Sequence, residues 1–205
     1  MGRAVEQLAA VPWPRPNLET MVPTYSPEES AQLAQGIGAV AIASAGTDEL
    51  LRWVLMSLYR SRAAIPVVEG QSTSWLRWAV KVGVDEANDL SGTVEMLRVF
   101  KERVDAIGPL AESRNWIIHG TWRRASLSPD SKVNPRPFGN DEEDGTPVLI
   151  CSKSRLKGNL TQKAFSIGDI ERIADEYHAL NLQITREWQE IRPPMPDGWL
   201  AGSLY

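Results

Sequence analysis

Histidine chemistry in this chain can use only two residues, His119 and His178. His178 falls in the middle of a predicted helix beside Tyr177 and acidic neighbours, so we interpret it as an ordinary surface or core-edge residue. His119 differs, because Asn115 precedes it by four residues and Arg114 by five. Residues four apart on a helix share a face, so Asn115 and His119 are expected to point the same way. Arg114 lies about 140° round the helix, and its long side chain can reach past the edge of that face.

An imidazole beside a guanidinium suits phosphoryl chemistry on RNA without a metal ion. The ribose 2'-OH attacks the adjacent phosphate, a histidine moves a proton, and an arginine stabilises the charge that grows on the phosphorane oxygens. An asparagine can orient the histidine or bind phosphate. This reaction leaves a 2',3'-cyclic phosphate and needs no cofactor. The candidate catalytic residues are therefore Arg114, His119 and Asn115.

Trp122, three residues beyond His119, is followed by Arg123 and Arg124. An indole can stack on a base while a neighbouring guanidinium contacts a phosphate, which makes these three residues candidate RNA contacts. Packing of Trp122 into the protein interior is the competing interpretation, because most tryptophans of the chain fall within helical patterns. A second basic run alternates along a predicted strand and fits either a phosphate-binding face or a solvated edge. It consists of Lys153, Arg155 and Lys157.

Charge and composition argue against several other functions. The net charge of -4 does not suit a general nucleic-acid coat protein, although residues 114–163 carry nine basic side chains against five acidic ones. The single cysteine, Cys151, excludes an intramolecular disulfide, and no Cys/His cluster offers zinc ligands. The acidic run at 141–144 lacks a calcium-loop pattern, so we expect no metal and no other cofactor. No stretch approaches the ~18 apolar residues of a membrane span, so we expect a cytoplasmic protein without a membrane partner.

Apolar periodicity predicts a mainly α protein, an up-and-down helical bundle of four to five helices with a small β-hairpin insertion before the last helix. Capping patterns favour helix starts at Ser26, at Ser72 or Thr73, at Thr93 and at Ser166, and the helix that starts at Ser72 or Thr73 is expected to end near Leu90. The stretch from 27 to about 62 fits one kinked helix or two successive ones, with Gly46 as the weak point. Pro109 is expected to kink or restart its helix, and Gly120 to end it in a left-handed conformation. The predicted organisation is an extended N-terminal arm at 1–26, a helical domain at 27–191 with the insertion at 121–166, and a C-terminal tail at 192–205.

The segment Arg114-Asn115-Trp116-Ile117-Ile118-His119-Gly120-Thr121-Trp122 resembles the Arg-x4-6-His signature of the HEPN superfamily, in which a polar residue, often Asn, directly follows the arginine. The order of long helices, insertion and final amphipathic helix over 27–191 is also similar to HEPN domains. The resemblance implies a metal-independent endoribonuclease, commonly a toxin or phage-defence effector, that dimerises to bring two Arg/His pairs into one cleft. It implies RNA as substrate, a homodimer, and an antitoxin or regulatory protein as a further partner.

Two other interpretations stay open. A HEPN-type module without catalytic activity would use the same cleft to bind RNA, a nucleotide or a protein. In a plain helical scaffold, His119 would cap the helix end and Arg114 would form a surface ion pair with Glu112 or Glu102.

Overall fold

The computed structural model describes residues 25–60, 64–124, 149–154 and 160–193. Within those ranges five helices and three strands follow one another, and the small sheet comes directly before the last helix, which confirms the predicted mainly α fold. The predicted arm at 1–26 and tail at 192–205 lie almost entirely outside the described residues. The elements are α1 (Pro27–Tyr59), α2 (Ile65–Val68), α3 (Thr73–Glu86), α4 (Val94–His119), β1 (Thr121–Arg124), β2 (Leu149–Ser154), β3 (Leu160–Phe165) and α5 (Ile167–Ile191).

The first helix is a single long helix rather than two. It begins at a capping box in which the Ser26 side chain accepts from the backbone of Glu29 and the Glu29 side chain accepts from the backbone of Ser26. It continues through Gly46, where a second start was an open alternative. The next residue, Thr47, is buried, and its hydroxyl lies 3.1 Å from the Ala43 carbonyl and 2.8 Å from Asn181 Oδ1 on α5. The contact between Thr47 and α5 therefore stabilises the helical conformation at Gly46.

The predicted caps of the other long helices are confirmed. The side chains of Ser72, Thr93 and Ser166 each accept a hydrogen bond from the first turn of α3, α4 and α5 respectively. Helix α3 ends at Glu86, earlier than the stop expected near Leu90. Helix α4 neither ends nor restarts at Pro109, which lies inside it.

A mostly apolar core joins the four long helices. Helix α1 packs against α3 and α5, and α4 packs against α5 and α3. Trp188 of α5 is fully buried, its ring centroid lies 5.4 Å from that of Phe100 on α4, and its indole N–H donates to Ser57 Oγ on α1 at 3.0 Å. The Trp188 side chain thus connects α5 with both α1 and α4. None of the helices in the described part of the chain is long and apolar enough to cross a membrane.

The insertion contains a three-stranded antiparallel sheet in the order β1-β2-β3, one strand more than the predicted hairpin. Cys151 is the central member of a row across the sheet, paired with Trp122 on β1 and Lys163 on β3. Leu149, Cys151 and Phe165 are buried and belong to the same core as the helices. The sheet therefore packs against the end of α4 that carries the candidate catalytic residues.

Candidate functional site

The three candidate catalytic residues lie in the last two turns of α4. Asn115 and His119 are exposed, whereas Arg114 is half-buried. Arg114 Nη1 donates a hydrogen bond to Asn115 Oδ1 at 3.1 Å. The guanidinium thus reaches round the helix to a side chain that is one turn before His119 on the same face. The long side chain of Arg114 therefore extends past the edge of that face, as its length predicted.

The surroundings of Arg114 and His119 differ from those expected in a plain scaffold. Glu102 pairs with Arg98, and the ion pairs found among the described residues do not include Arg114. In the same ranges the His119 imidazole has no hydrogen-bond or ion-pair partner, and the helix is capped by the backbone N–H of Gly120 instead. Among the described residues, therefore, neither the Arg114 guanidinium nor the His119 imidazole forms an ion pair.

Charged side chains of three helices, Asp48, Arg77 and Arg114, act on the buried phenol of Tyr177. Burial raises the pKa of Tyr177, a core residue of α5, while the positive charges of Arg114 and Arg77 oppose that shift and Asp48 adds to it. Asp48 in turn accepts a hydrogen bond from Thr73 at 2.7 Å. The charge of Arg114 therefore acts on a buried phenol of α5, an interaction that was not predicted from the sequence.

The end of α4 is closed by the sheet, and the predicted conformation of Gly120 is wrong. Its φ is -88° and its ψ is 157°, an extended conformation that any residue can adopt. The requirement for glycine is steric, because a Cβ at this position would lie 1.9 Å from Cys151 Sγ and 2.7 Å from the Trp116 carbonyl oxygen. Both the Gly120 N–H and the Cys151 thiol donate to that carbonyl, at 3.0 and 3.1 Å. Close approach of β2 to the helix end therefore explains this glycine.

Burial raises the pKa of the Cys151 thiol to about 11, although the positive charges of Lys153 and Lys163 oppose the shift. At neutral pH the thiol is protonated and can act as a hydrogen-bond donor to the helix end. Its position in the core and its raised pKa indicate a structural role.

The three candidate RNA contacts lie on or at β1 in different surroundings. Trp122 is half-buried, its indole N–H donates to the Ile117 carbonyl at 3.1 Å, and its ring centroid lies 5.5 Å from that of Phe165. These contacts support the packing interpretation, and stacking of Trp122 on a base stays a prediction. Arg123 is exposed, and strand alternation directs it to the face opposite Trp122. Arg124 ends the strand, where it pairs with Leu149.

Two lysines lie on the two neighbouring strands β2 and β3, beside Cys151. Lys153 Nζ lies 5.2 Å from the centroid of the Trp116 ring, at a distance typical of a cation–π contact. Lys163 is opposite Cys151 on the neighbouring strand. Lys153 was predicted only as part of an alternating basic run, whose members Arg155 and Lys157 lie outside the described residues, as does the acidic run at 141–144. Lys163 was not predicted, because its position depends on strand pairing.

His178 is exposed on α5, which agrees with its interpretation as an ordinary surface residue. Across the described ranges, no group of three or more His, Cys, Asp and Glu side chains could hold a metal ion. No protein-family model matches this sequence, and no curated protein or solved structure matches it either.

Proposed function

We propose that this protein is a metal-independent endoribonuclease of the HEPN type, in which His119 transfers protons and Arg114 stabilises the transition state. The observation that carries the proposal is the hydrogen bond from Arg114 to Asn115, one turn from an exposed histidine on the same helix. Asn115 holds the guanidinium toward the face of His119. In the plain-scaffold interpretation Arg114 would pair with Glu112 or Glu102, and the ion pairs of the described residues do not include it.

The reaction moves two protons. One leaves the ribose 2'-oxygen, and one reaches the 5'-oxygen of the leaving nucleotide. A base removes the proton of the ribose 2'-OH, the 2'-oxygen attacks the phosphorus, and the bond to the 5'-oxygen breaks as that oxygen is protonated. The products are a 2',3'-cyclic phosphate and a 5'-hydroxyl. Arg114 donates hydrogen bonds to the phosphoryl oxygens, whose negative charge increases in the transition state.

A homodimer is part of the proposal. One imidazole cannot be deprotonated to act as the base and protonated to act as the acid at the same moment. A two-fold axis beside the end of α4 would bring a second His119 and a second Arg114 to the same phosphate. The resemblance to HEPN proteins further suggests a toxin or phage-defence effector that a partner protein restrains.

The proposal is tested by incubating the purified chain with a structured RNA pool in EDTA, together with a DNA pool of the same sequences. We expect the RNA to be cut and the DNA to stay intact, because DNA lacks the attacking 2'-OH. The new ends should carry 2',3'-cyclic phosphates, detectable by mass spectrometry. If the chain binds RNA but leaves it uncut in EDTA and in Mg²⁺, the nuclease proposal is wrong and the binding-module alternative replaces it.

Lys153 is expected to contact a phosphate next to the one that is cleaved. Its ammonium group lies over the ring of Trp116. Trp116 precedes His119 by three residues, so the two side chains are neighbours on the helix surface. Each phosphate contact with single-stranded nucleic acid contributes about -0.7 to the slope of log affinity against log salt. In a His119→Ala background, Lys153→Gln should therefore make the slope less steep by about 0.7, measured by fluorescence anisotropy with a single-stranded RNA.

Lys101, in the first half of α4, provides the control. Lys101 lies five turns before His119 and pairs with Asp85 of α3, so Lys101→Gln should leave the salt slope unchanged. Equal slopes for the Lys153→Gln chain and its parent would show that Lys153 does not contact the RNA backbone.

A further inference from the structure

We propose that Arg77 of α3 is a positioning residue for the candidate site, because it holds α4 in one direction at Pro109 and so places the turns that carry Arg114 and His119. The expected effect of Arg77 on catalysis rests on the proposed function. The expected effect of Arg77 on the position of His119 does not depend on the proposed function and can be measured separately.

Pro109 leaves a backbone acceptor of α4 without its usual partner. Proline has no N–H, so the carbonyl four residues earlier, that of Asp105, loses its helical hydrogen bond, and the proline ring crowds the same carbonyl. The helix nevertheless continues from Val94 to His119. Pro109 is exposed, so burial of its ring does not account for the stability of helix at this point.

The guanidinium of Arg77 supplies the missing donors. Its Nη2 donates to the Asp105 carbonyl at 2.9 Å, and its Nε donates to the Val104 carbonyl at 2.9 Å. Nη2 also lies 3.2 Å from Asp105 Oδ1, which accepts from Lys81 Nζ at 2.7 Å as well. Two consecutive backbone carbonyls of α4 are thus bound by one side chain from α3, whose rigid fork of donors suits this geometry.

Gly108 makes room for this contact. A Cβ at position 108 would lie 2.9 Å from Arg77 Nη1, 3.0 Å from Nη2 and 3.1 Å from Cζ. Any larger residue would therefore push the guanidinium away from the carbonyls. Gly108 thus leaves room for the guanidinium, Pro109 frees the Asp105 carbonyl and Arg77 binds it, although glycine and proline are both unfavourable inside a helix. The three residues together indicate a specific interaction rather than a surface ion pair.

The interaction lies directly before the part of α4 that carries the candidate site. The helix from Leu110 onward contains Arg114 and His119, so a change of direction at Pro109 would be transmitted to both. The positive charges of Arg77 and Arg114 also both oppose the rise in the pKa of the buried Tyr177. Loss of Arg77 would leave the Asp105 carbonyl unpaired and allow the final turns of α4 to move.

The test uses Arg77→Met, which removes the donors but keeps a long side chain, and Pro109→Ala, which restores the N–H. We expect Arg77→Met to lower kcat for RNA cleavage by about 10- to 100-fold with KM nearly unchanged, because small misplacements of catalytic groups have effects of this size. Adding Pro109→Ala should return most of the activity, because the alanine N–H can then bind the Asp105 carbonyl. Lys81→Met is the matched control, since Lys81 contacts only the Asp105 carboxylate among these acceptors.

A second readout does not depend on catalysis. The side-chain NMR signals of His119 are easily assigned because the chain has only two histidines. They should shift in Arg77→Met, return toward the wild-type positions in the double variant, and stay in place in Lys81→Met. If wild type cuts no RNA but the shifts behave this way, the positioning role stands and the nuclease proposal fails. Shifts and kcat that are the same in Arg77→Met as in Lys81→Met, or that Pro109→Ala does not rescue, would overturn the inference.

Discussion

Replacing His119 with alanine is expected to lower the rate of RNA cleavage by about 10²- to 10⁴-fold, the usual contribution of general acid–base catalysis. The exposed imidazole has no structural partner among the residues that the structure describes, so the variant should fold as wild type does. His178→Ala is the matched control, because it removes the chain's other histidine, which is also exposed and lies on a different helix. Single-turnover cleavage rates and thermal unfolding of the three proteins give the comparison.

Arg114→Ala should lower the same rate by about 10²- to 10³-fold, the size of effect seen when a donor to a developing oxyanion is removed. Arg114→Lys should recover only part of the rate, since a lysine cannot donate to Asn115 and to phosphate in a planar fork. The proposed homodimer adds a sharper expectation. When the Arg114→Ala and His119→Ala chains are mixed under conditions that exchange subunits, heterodimers keep one Arg114 and one His119 and should cleave RNA faster than either variant alone. They should remain slower than wild type, because a single histidine can serve only as the base or only as the acid.

Unchanged cleavage by His119→Ala would exclude histidine catalysis at this site. Equal losses in His119→Ala and His178→Ala would point to a general effect on the fold. A mixture as inactive as its components would contradict a site shared between two protomers, while leaving a site within one protomer open.

Gly120→Ala is expected to have the largest effect on stability, lowering the free energy of unfolding by about 3 kcal/mol, at the upper end of the usual cost of overpacking. The added methyl group would lie 1.9 Å from Cys151 Sγ and 2.7 Å from a backbone oxygen, so either β2 or the helix end must move. Chemical denaturation monitored by tryptophan fluorescence measures the change. Because the clash lies at the end of α4, RNA cleavage should fall as well, even where the variant is folded.

Two further substitutions separate the clash from a general intolerance of alanine. Cys151→Ala in the same chain removes the contact at 1.9 Å but not the one at 2.7 Å, so the double variant should be more stable than the sum of the single changes predicts. Gly38→Ala is the control, because a Cβ there meets nothing within 4 Å in the middle of α1. It should leave stability unchanged or raise it by up to about 1 kcal/mol. A Gly120→Ala chain as stable as Gly38→Ala would contradict the packing described for Cys151.

The helices were predictable because their signals are local. Ser26, Ser72, Thr93 and Ser166 carry side chains that bond within their own first turn, and the apolar spacing along each helix identified the core. The choice between one and two helices over 27–62 was not predictable, because it depends on Thr47 contacting Asn181, a residue 134 positions away. Local propensity and tertiary contact act in opposite directions there, and the contact decides.

The candidate site was predictable to a similar extent. The spacing of Arg114, Asn115 and His119 indicated a shared face and a long arginine reach, and both follow from helix geometry alone. The approach of Cys151 to Gly120 depends on antiparallel pairing across the sheet, for which the sequence carries only weak signals. The hydrogen bonds from Arg77 to α4 likewise cannot be read from spacing, since they join residues on two different helices.

Catalysis by His119 is tested by quantifying 2',3'-cyclic phosphate ends after one RNA pool is incubated in EDTA with wild type, His119→Ala or His178→Ala. We expect such ends to accumulate with wild type and His178→Ala and to fall at least about 100-fold with His119→Ala. Equal accumulation with all three proteins would show that His119 has no catalytic role, and a contaminating nuclease would then be the simplest source of any cleavage.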